Sequence, residues 1–303
     1  MKRRNILKSL ALAPAALAVS PTFAKASELK NVKYKYSLNT STIRGQKLSL
    51  SEIIETSSKA GYDGLEIWIS EIETYLGSGK SLSSLKTVLS DAKQTPFNAI
   101  GFAPWMAQDP QKSKQGFAQM EKEMGMLADI GCTRIAAPAI GAEGEINVQE
   151  SAEKYSQLID LGKKIGVMPQ LEFWGAFGPF HNLSQCLSVA VAANNPDTKI
   201  LPDVYHLFRG GSGFNALKLL SSDAFDIIHV NDVPSGIAVE DLQDKDRVYP
   251  GDGIAPYDVI TETLGGMSGT KILSLELFNP TYYQQDALEV AKTGLKKTKE
   301  MFL

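Results

Sequence analysis

The feature that most constrains the fold is a strand-and-helix unit that recurs eight times between Tyr34 and the C-terminus. Each unit starts with a short β-rich run and continues through a turn into an amphipathic helical run. The predicted strands cover residues 34–41, 64–70, 97–105, 133–140, 167–175, 198–207, 225–234 and 270–279. This alternation shows no linker, no break in composition and no glycine fingerprint after the first strand. It therefore favours a single (β/α)8 TIM barrel over two doubly wound domains.

The N-terminal segment is predicted to be an export signal rather than part of the fold. Residues 1–26 begin with basic side chains, continue through a short apolar stretch and end near small residues. Arg3 and Arg4, followed by Ile6 and Leu7, resemble a twin-arginine signal, whose machinery carries folded proteins. An ordinary secretory signal is the alternative. Either route predicts an exported, periplasmic barrel domain over residues 27–303, and no later segment is apolar enough to span a membrane.

Charge and cysteine content exclude several classes of protein. Removal of residues 1–26 takes away five basic residues and no acidic ones, so 31 basic and 34 acidic residues become 26 and 34. This negative balance argues against a nucleic-acid partner. Cys132 and Cys186 have neither metal-ligand spacing nor the density of a disulfide scaffold, so we expect two buried thiols. An export compartment would permit a bridge if the fold brought them together.

Polar side chains end four consecutive predicted strands, where the chemistry of such a barrel gathers. Each lies in an otherwise apolar run, where an unpaired charge would cost several kcal/mol. Three carboxylates and one imidazole suit a hard or borderline divalent cation with positions left open for substrate oxygens. The predicted metal ligands are Glu172, Asp203, His229 and Glu276. Asp232 either joins this site or caps the turn that follows it.

Further residues are candidates for contact with a substrate. His206 is predicted on the same strand as Asp203, at an odd offset from it, and close enough to contact substrate. Glu66, inside the second predicted strand, either reaches the substrate or is a polar group of the barrel interior. Trp105 and Trp174 stand near strand ends and are predicted to line a pocket.

Six short motifs resemble the xylose isomerase-like barrels, which include sugar-phosphate isomerases and epimerases, D-tagatose 3-epimerase, inosose dehydratase and, more distantly, endonuclease IV. They are "GYDGLEIW", "LEFW", "DVYH", "HVND", "RVYPGDG" and "LSLELF", and the resemblance covers nearly all of the chain after the signal. It implies that Glu172, Asp203, His229 and Glu276 hold one divalent metal, usually manganese. It also implies that His206 and Arg247 contact the sugar. The stretch "FWGAFGPF" lacks an acidic residue that some epimerases carry, which argues against ketohexose epimerisation.

The chemistry expected of such a site is proton abstraction next to a carbonyl. A metal on the carbonyl and the adjacent hydroxyl stabilises the enediolate, while Glu172 and Glu276 remove and return the proton. The leading prediction is a metal-dependent isomerase or epimerase of a free or glycosidically linked sugar. A lyase or dehydratase using the same enediolate is the runner-up, and a non-catalytic sugar-binding barrel is the alternative of another class. Magnesium, cobalt and zinc stay open beside manganese, as does assembly into a homo-oligomer.

Overall fold

The computed structural model describes residues 32–303, so the predicted signal at residues 1–26 and the domain boundary at residue 27 lie outside the described residues. Eight strands belong to one sheet, in the order β6-β5-β4-β3-β2-β1-β8-β7. Their bounds are β1 Lys33–Asn39, β2 Gly64–Trp68, β3 Thr95–Ile100, β4 Arg134–Pro138, β5 Met168–Glu172, β6 Ile200–Leu201, β7 Ile227–Val230 and β8 Thr270–Leu275.

All strand pairs are parallel, and the sheet closes on itself between β6 and β7. There the backbone amide of His229 donates to the carbonyl of Pro202 at 3.0 Å, and Asp203 and His229 form an isolated parallel bridge. The predicted single (β/α)8 TIM barrel is confirmed. Its closing contact lies beside two of the residues that the sequence selects as metal ligands.

Nine α-helices cover the outside of the barrel or its upper end in the described part of the chain. Their starts follow from local capping, as in the first helix, where Ser49 and Glu52 form a reciprocal capping box. The long fourth helix begins with Asp109 as its cap and Pro110 in its first turn. The bounds are α1 Leu50–Ala60, α2 Ile69–Gly77, α3 Leu82–Asp91, α4 Pro110–Ile130, α5 Val148–Ile165, α6 Leu183–Ala192, α7 Val204–Arg209, α8 Tyr257–Gly265 and α9 Ala287–Phe302.

The apolar core has an outer layer and a smaller inner layer. The outer layer packs the helices onto the strands through residues such as Leu65, Ile135 and Leu171, all without exposed surface. The inner layer fills the barrel with Ile100, Ala136, Leu201, Ile227 and Ile272. Polar side chains, among them Glu172 and Glu276, lie at the upper end of the barrel, where the strands finish.

The sixth predicted strand is wrong over most of its length. Residues 198–207 were expected to be extended, but β6 has only two residues and α7 starts at Val204. Asp203 caps this helix, because its carboxylate accepts a hydrogen bond from the His206 amide at 3.1 Å. His206 therefore stands one helical turn beyond Asp203 instead of on the same strand.

Two further expectations concern the cysteines and the membrane. Cys132 and Cys186 are both buried and unbridged, as predicted. Across residues 32–303, no helix has the length and apolar character that a membrane span requires.

Candidate active site

The period of two along each strand carries polar side chains into the upper end of the barrel. On β8, Ile272 belongs to the inner core, Ser274 follows two residues later, and Glu276 comes directly after the strand. On β7, His229 lies two residues after Ile227. Since alternate residues of a strand face the same side, each sequence places its functional group above an apolar inner residue.

The structure brings together all four predicted metal ligands around one ring nitrogen. His229 Nδ1 lies 3.2 Å from Asp203 Oδ2, 3.2 Å from Glu276 Oε2 and 3.5 Å from Glu172 Oε1. Ligand atoms of Asp203, His229 and Glu276 fall within 4.8 Å of one another. All four side chains are buried, so the cluster is shielded from water.

This arrangement fits a divalent cation on two grounds. The donor set of three carboxylates and an imidazole nitrogen is suited to manganese, magnesium, cobalt or zinc. In addition, Glu172 Oε2 is buried without a hydrogen-bond partner, a costly condition that a cation would relieve. Burial also raises the pKa of Glu172 well above its usual range, and the neighbouring Glu276 and Asp203 add to the rise while His229 opposes it.

Glu66 is fully buried next to His229 and does not line the cavity, an arrangement that favours the second of its two interpretations, a polar group of the barrel interior. His229 Nε2 lies 3.0 Å from Oε1 and 2.9 Å from Oε2 of the Glu66 carboxylate. Asn98 and Ser274 donate to the same carboxylate at 2.8 and 2.7 Å. With Nε2 donating to Glu66, Nδ1 is the nitrogen that faces the other carboxylates, and it becomes a metal ligand when it gives up its own proton.

Arg247 is a buried cation that contacts two of the predicted metal ligands and also Asp244. Its Nη1 donates to Asp203 Oδ2 at 2.9 Å and to Glu276 Oε2 at 2.7 Å. Its Nη2 forms an ion pair with Asp244. Burial opposes the charge, but the three carboxylates outweigh it and raise the pKa of Arg247, so the guanidinium stays charged. Burial raises the pKa of Asp203, but the positive charge of Arg247 is the largest of the causes that hold this pKa well below its usual range.

His206 presents one ring nitrogen toward this cluster. The Gly175 amide donates to Nδ1 at 3.1 Å, so a neutral ring carries its proton on Nε2, which lies 3.2 Å from Arg247 Nη2. Burial lowers the pKa of His206 to about 4, although Asp203 works in the opposite direction. At neutral pH the ring is therefore uncharged.

A cavity of about 590 Å³ opens above these groups. It is lined by Glu172, Glu276, His206, Arg247 and Trp174, all of which the sequence selects. A volume in this range suits a small-molecule site. The roles of these residues toward a metal and a substrate stay predictions.

Trp105 does not line this cavity, so its predicted pocket role is wrong. Its side chain is 1% exposed, donates from Nε1 to the carbonyl of Pro138 at 2.8 Å, and packs against Tyr155 of α5. The reason is that β3 ends at Ile100, so the alternation of the strand no longer directs a residue five positions later. Asp232, also left open, organises a loop by accepting hydrogen bonds from the amides of Val233, Gly251, Gly253 and Ala255.

Several neighbours of the site were not selected from the sequence. Asn39 donates to Glu276 Oε1 at 2.9 Å, and Asn231 donates to Asp203 Oδ1 at 3.2 Å. Asn98 could have been selected from the sequence, because it is a polar residue inside an apolar strand. Four aromatic residues of the cavity wall were also missed: Trp68, Phe102, Phe177 and Phe278.

Comparison with known proteins places this geometry in one family. The family model described as xylose isomerase-like TIM barrel matches residues 54–301. Inosose isomerase of Bacillus velezensis is 26% identical over 258 residues, which cover 82% of this chain and 91% of the relative.

Solved structures agree in fold. A structure of IolI protein with a bound zinc atom superposes with a TM-score of 0.82 at 24% identity, covering 88% of this chain and 98% of the other. L-ribulose 3-epimerase gives a TM-score of 0.72 at 14% identity, covering 89% and 95%. At sequence identities of 24% and 14%, the similarity to these two structures shows a shared fold and no more.

Proposed function

The chain belongs to the xylose isomerase-like TIM barrel family, and on this premise we propose that it is a divalent-metal-dependent isomerase or epimerase of a sugar. The observation that carries the proposal is the convergence of Glu172, Asp203 and Glu276 on His229 Nδ1, with Glu172 and Glu276 lining one cavity. The inosose isomerase name of the relatives supports a sugar-like substrate with a carbonyl group.

The metal would be held by the three carboxylates and His229 Nδ1. Manganese is our first expectation, and the zinc of the IolI structure makes zinc the natural second metal to test. When bound, the ion supplies Lewis-acid stabilisation of the negative charge that develops on the substrate oxygens. Glu66 keeps His229 in the tautomer that this binding requires.

The remaining steps belong to groups of the chain. Glu172 ends β5 and Glu276 follows β8, and these strands lie five positions apart in the sheet order, so the two carboxylates approach a substrate from different sides. One removes the proton next to the carbonyl, and the other returns it, as epimerisation or isomerisation requires. Arg247 and the Nε2 proton of His206 donate to substrate oxygens and fix the orientation of the reacting carbon.

The test is proton exchange with solvent. Metal-loaded protein is incubated with free and 3-keto sugars in deuterated water, and the products are read by NMR. We expect deuterium at the carbon next to the carbonyl of an isomer or epimer. An elimination product would instead identify a lyase.

Two variants separate metal binding from acid–base chemistry. Metal-saturated Glu172→Gln and Glu276→Gln should retain the ion, yet at least one should lose turnover, because an amide cannot accept the proton. Glu123→Gln, which changes a buried carboxyl outside the site, is the control. Parental turnover by both site variants, or sugar binding without any exchange, would overturn the proposed function in favour of a sugar-binding barrel.

A further inference from the structure

The cavity wall contains a continuous series of five aromatic rings, in the spatial order Phe278, Trp68, Phe102, Trp174 and Phe177, here called the aromatic arc. Neighbouring ring centroids are 6.0, 5.1, 5.9 and 6.3 Å apart along this order. The arc passes beside the proposed reactive groups, because the ring of its fourth member, Trp174, lies 6.5 Å from the His206 ring. It therefore belongs to the same cavity as the proposed catalytic carboxylates.

The arc offers mainly ring faces: its three phenylalanines carry no side-chain donor or acceptor, and the indole N–H of Trp174 is the exception. The indole N–H of Trp68 is already donated to Asn39 Oδ1 at 2.9 Å. The other lining residues outside the polar part of the wall are Ile100 and Ala176, which add no side-chain donor or acceptor. A second sugar ring in this part of the cavity would leave several hydroxyls without partners, and such loss is costly. A flat apolar ring would leave none.

The solvent exposure of the arc also indicates that a ligand covers it. Phe102 is 41% exposed, and it stands at the centre of the arc between Trp68 and Trp174. One face of Trp68 is covered by the Arg44 guanidinium at 3.7 Å, which holds that indole in place. A preorganised aromatic surface that remains open to solvent gains free energy when a ring covers it.

We propose that the aromatic arc is a subsite for an aryl aglycone, so that the substrate is an aryl glycoside or its keto derivative rather than a free monosaccharide. This inference rests on the proposed function for the chemistry at the sugar, but it concerns a different part of the wall. The polar residues Glu172, His206, Arg247 and Glu276 receive the sugar, and the five rings receive the aglycone. The volume of about 590 Å³ accommodates both rings at once.

The experiment compares three β-D-glucosides that share the same sugar and differ in the aglycone: phenyl, methyl and glucosyl (cellobiose). Their affinities for the metal-loaded protein are measured by isothermal titration calorimetry. We expect the phenyl glucoside to bind about tenfold more tightly than the methyl glucoside, as a stacked aromatic contact provides. Cellobiose should gain no comparable affinity.

Variants of Phe102 locate the effect. Phe102→Ala should reduce the affinity for the phenyl glucoside to about that of the methyl glucoside. Phe102→Leu should lose most of the same preference, because it retains apolar bulk without a ring face. Ile254→Ala, which removes another exposed apolar side chain outside the cavity lining, is the control and should change neither affinity.

Equal affinities for the phenyl and methyl glucosides would overturn the proposal, as would tighter binding of cellobiose or no binding of any of the three. Equal weakening of all ligands by Phe102→Ala would also overturn it. Failure of the proposed function shows separately, as absence of solvent deuterium in any keto sugar. A phenyl preference without exchange would leave the subsite standing while removing the isomerase.

Discussion

His229 points its Nε2 at the Glu66 carboxylate, at 2.9 Å from Oε2, while its Nδ1 faces the other carboxylates. Glu66 is therefore placed to act as a positioning residue: it would act on a bound metal through the imidazole, since it has no exposed surface of its own. Its charge makes Nδ1 a stronger ligand and fixes the tautomer.

The first prediction concerns this pair. Glu66→Gln should weaken metal binding by about tenfold, because the amide oxygen still accepts from Nε2 but no longer carries a charge. Competition with a fluorescent chelator measures the dissociation constant. Glu123→Gln is the matched buried control and should bind metal as the parent does. An unchanged affinity in Glu66→Gln would show that Glu66 serves only the packing of the barrel.

A second prediction is that a bound metal stabilises the protein more at pH 8.5 than at pH 7. The pKa of His229 is raised well above its usual range, since Glu276 and Glu66 outweigh burial, and the pKa of Glu172 is raised by burial. A raised pKa contributes stability below the unfolded value, about 6.5 for His and 4.3 for Glu, and loses it as pH rises toward the folded value.

The metal-free protein should thus lose up to about 1.4 kcal/mol of unfolding free energy per pH unit for each such proton. His206 does not offset this loss, because its lowered pKa leaves it neutral in both states above pH 7. Chemical unfolding at both pH values, with chelator and with manganese, measures the difference. A metal increment that is independent of pH would contradict the prediction.

The third prediction contrasts two tryptophans. Trp105→Ala should cost about 3–5 kcal/mol of unfolding free energy, because it empties a buried site and removes the hydrogen bond to Pro138. Its effect on ligand affinity should be small. Trp174→Ala should lower ligand affinity and change the unfolding free energy little, since this ring lines the cavity. Urea unfolding and calorimetry on both variants decide the assignment, and equal stability losses would refute it.

Export is a fourth prediction, and we propose the twin-arginine route for it. A fusion of residues 1–30 to a reporter should cross the membrane, and replacement of Arg3 and Arg4 by lysine should stop it. Cell fractionation measures both. A cytoplasmic parent fusion would rule out a signal, and export of the double variant would indicate the ordinary secretory route.

The sequence predicts the barrel and the convergence of the four polar strand ends because both depend on periodicity. Alternation of strand and helix determines the topology, and alternation within each strand determines which side chains face inward. Strand six shows where this reasoning fails. The run from Val204 to Phe208 is rich in residues that favour strands, yet the cap at Asp203 starts a helix there.

The orientation of loop residues cannot be predicted from sequence periodicity. Phe102, Phe177 and Phe278 follow the ends of their strands, so no repeat in the chain indicates which way their rings point. Trp105 was assigned to the cavity for its nearness to β3, and tertiary packing turned it toward Tyr155 instead. Glu66 was recognised as a polar residue within an apolar strand, but its partner on β7 is distant in sequence.

The join between β6 and β7 is a seam in the barrel wall, where few backbone hydrogen bonds link the two strands. Only one isolated bridge, Asp203 to His229, links the ends of these strands, and β6 contributes just two residues. The amide of His229 should therefore exchange with solvent through local opening more readily than the amides of β8. A metal ion bound by both Asp203 and His229 would link the two sides of the seam, so metal binding and closure of the barrel would be one cooperative event.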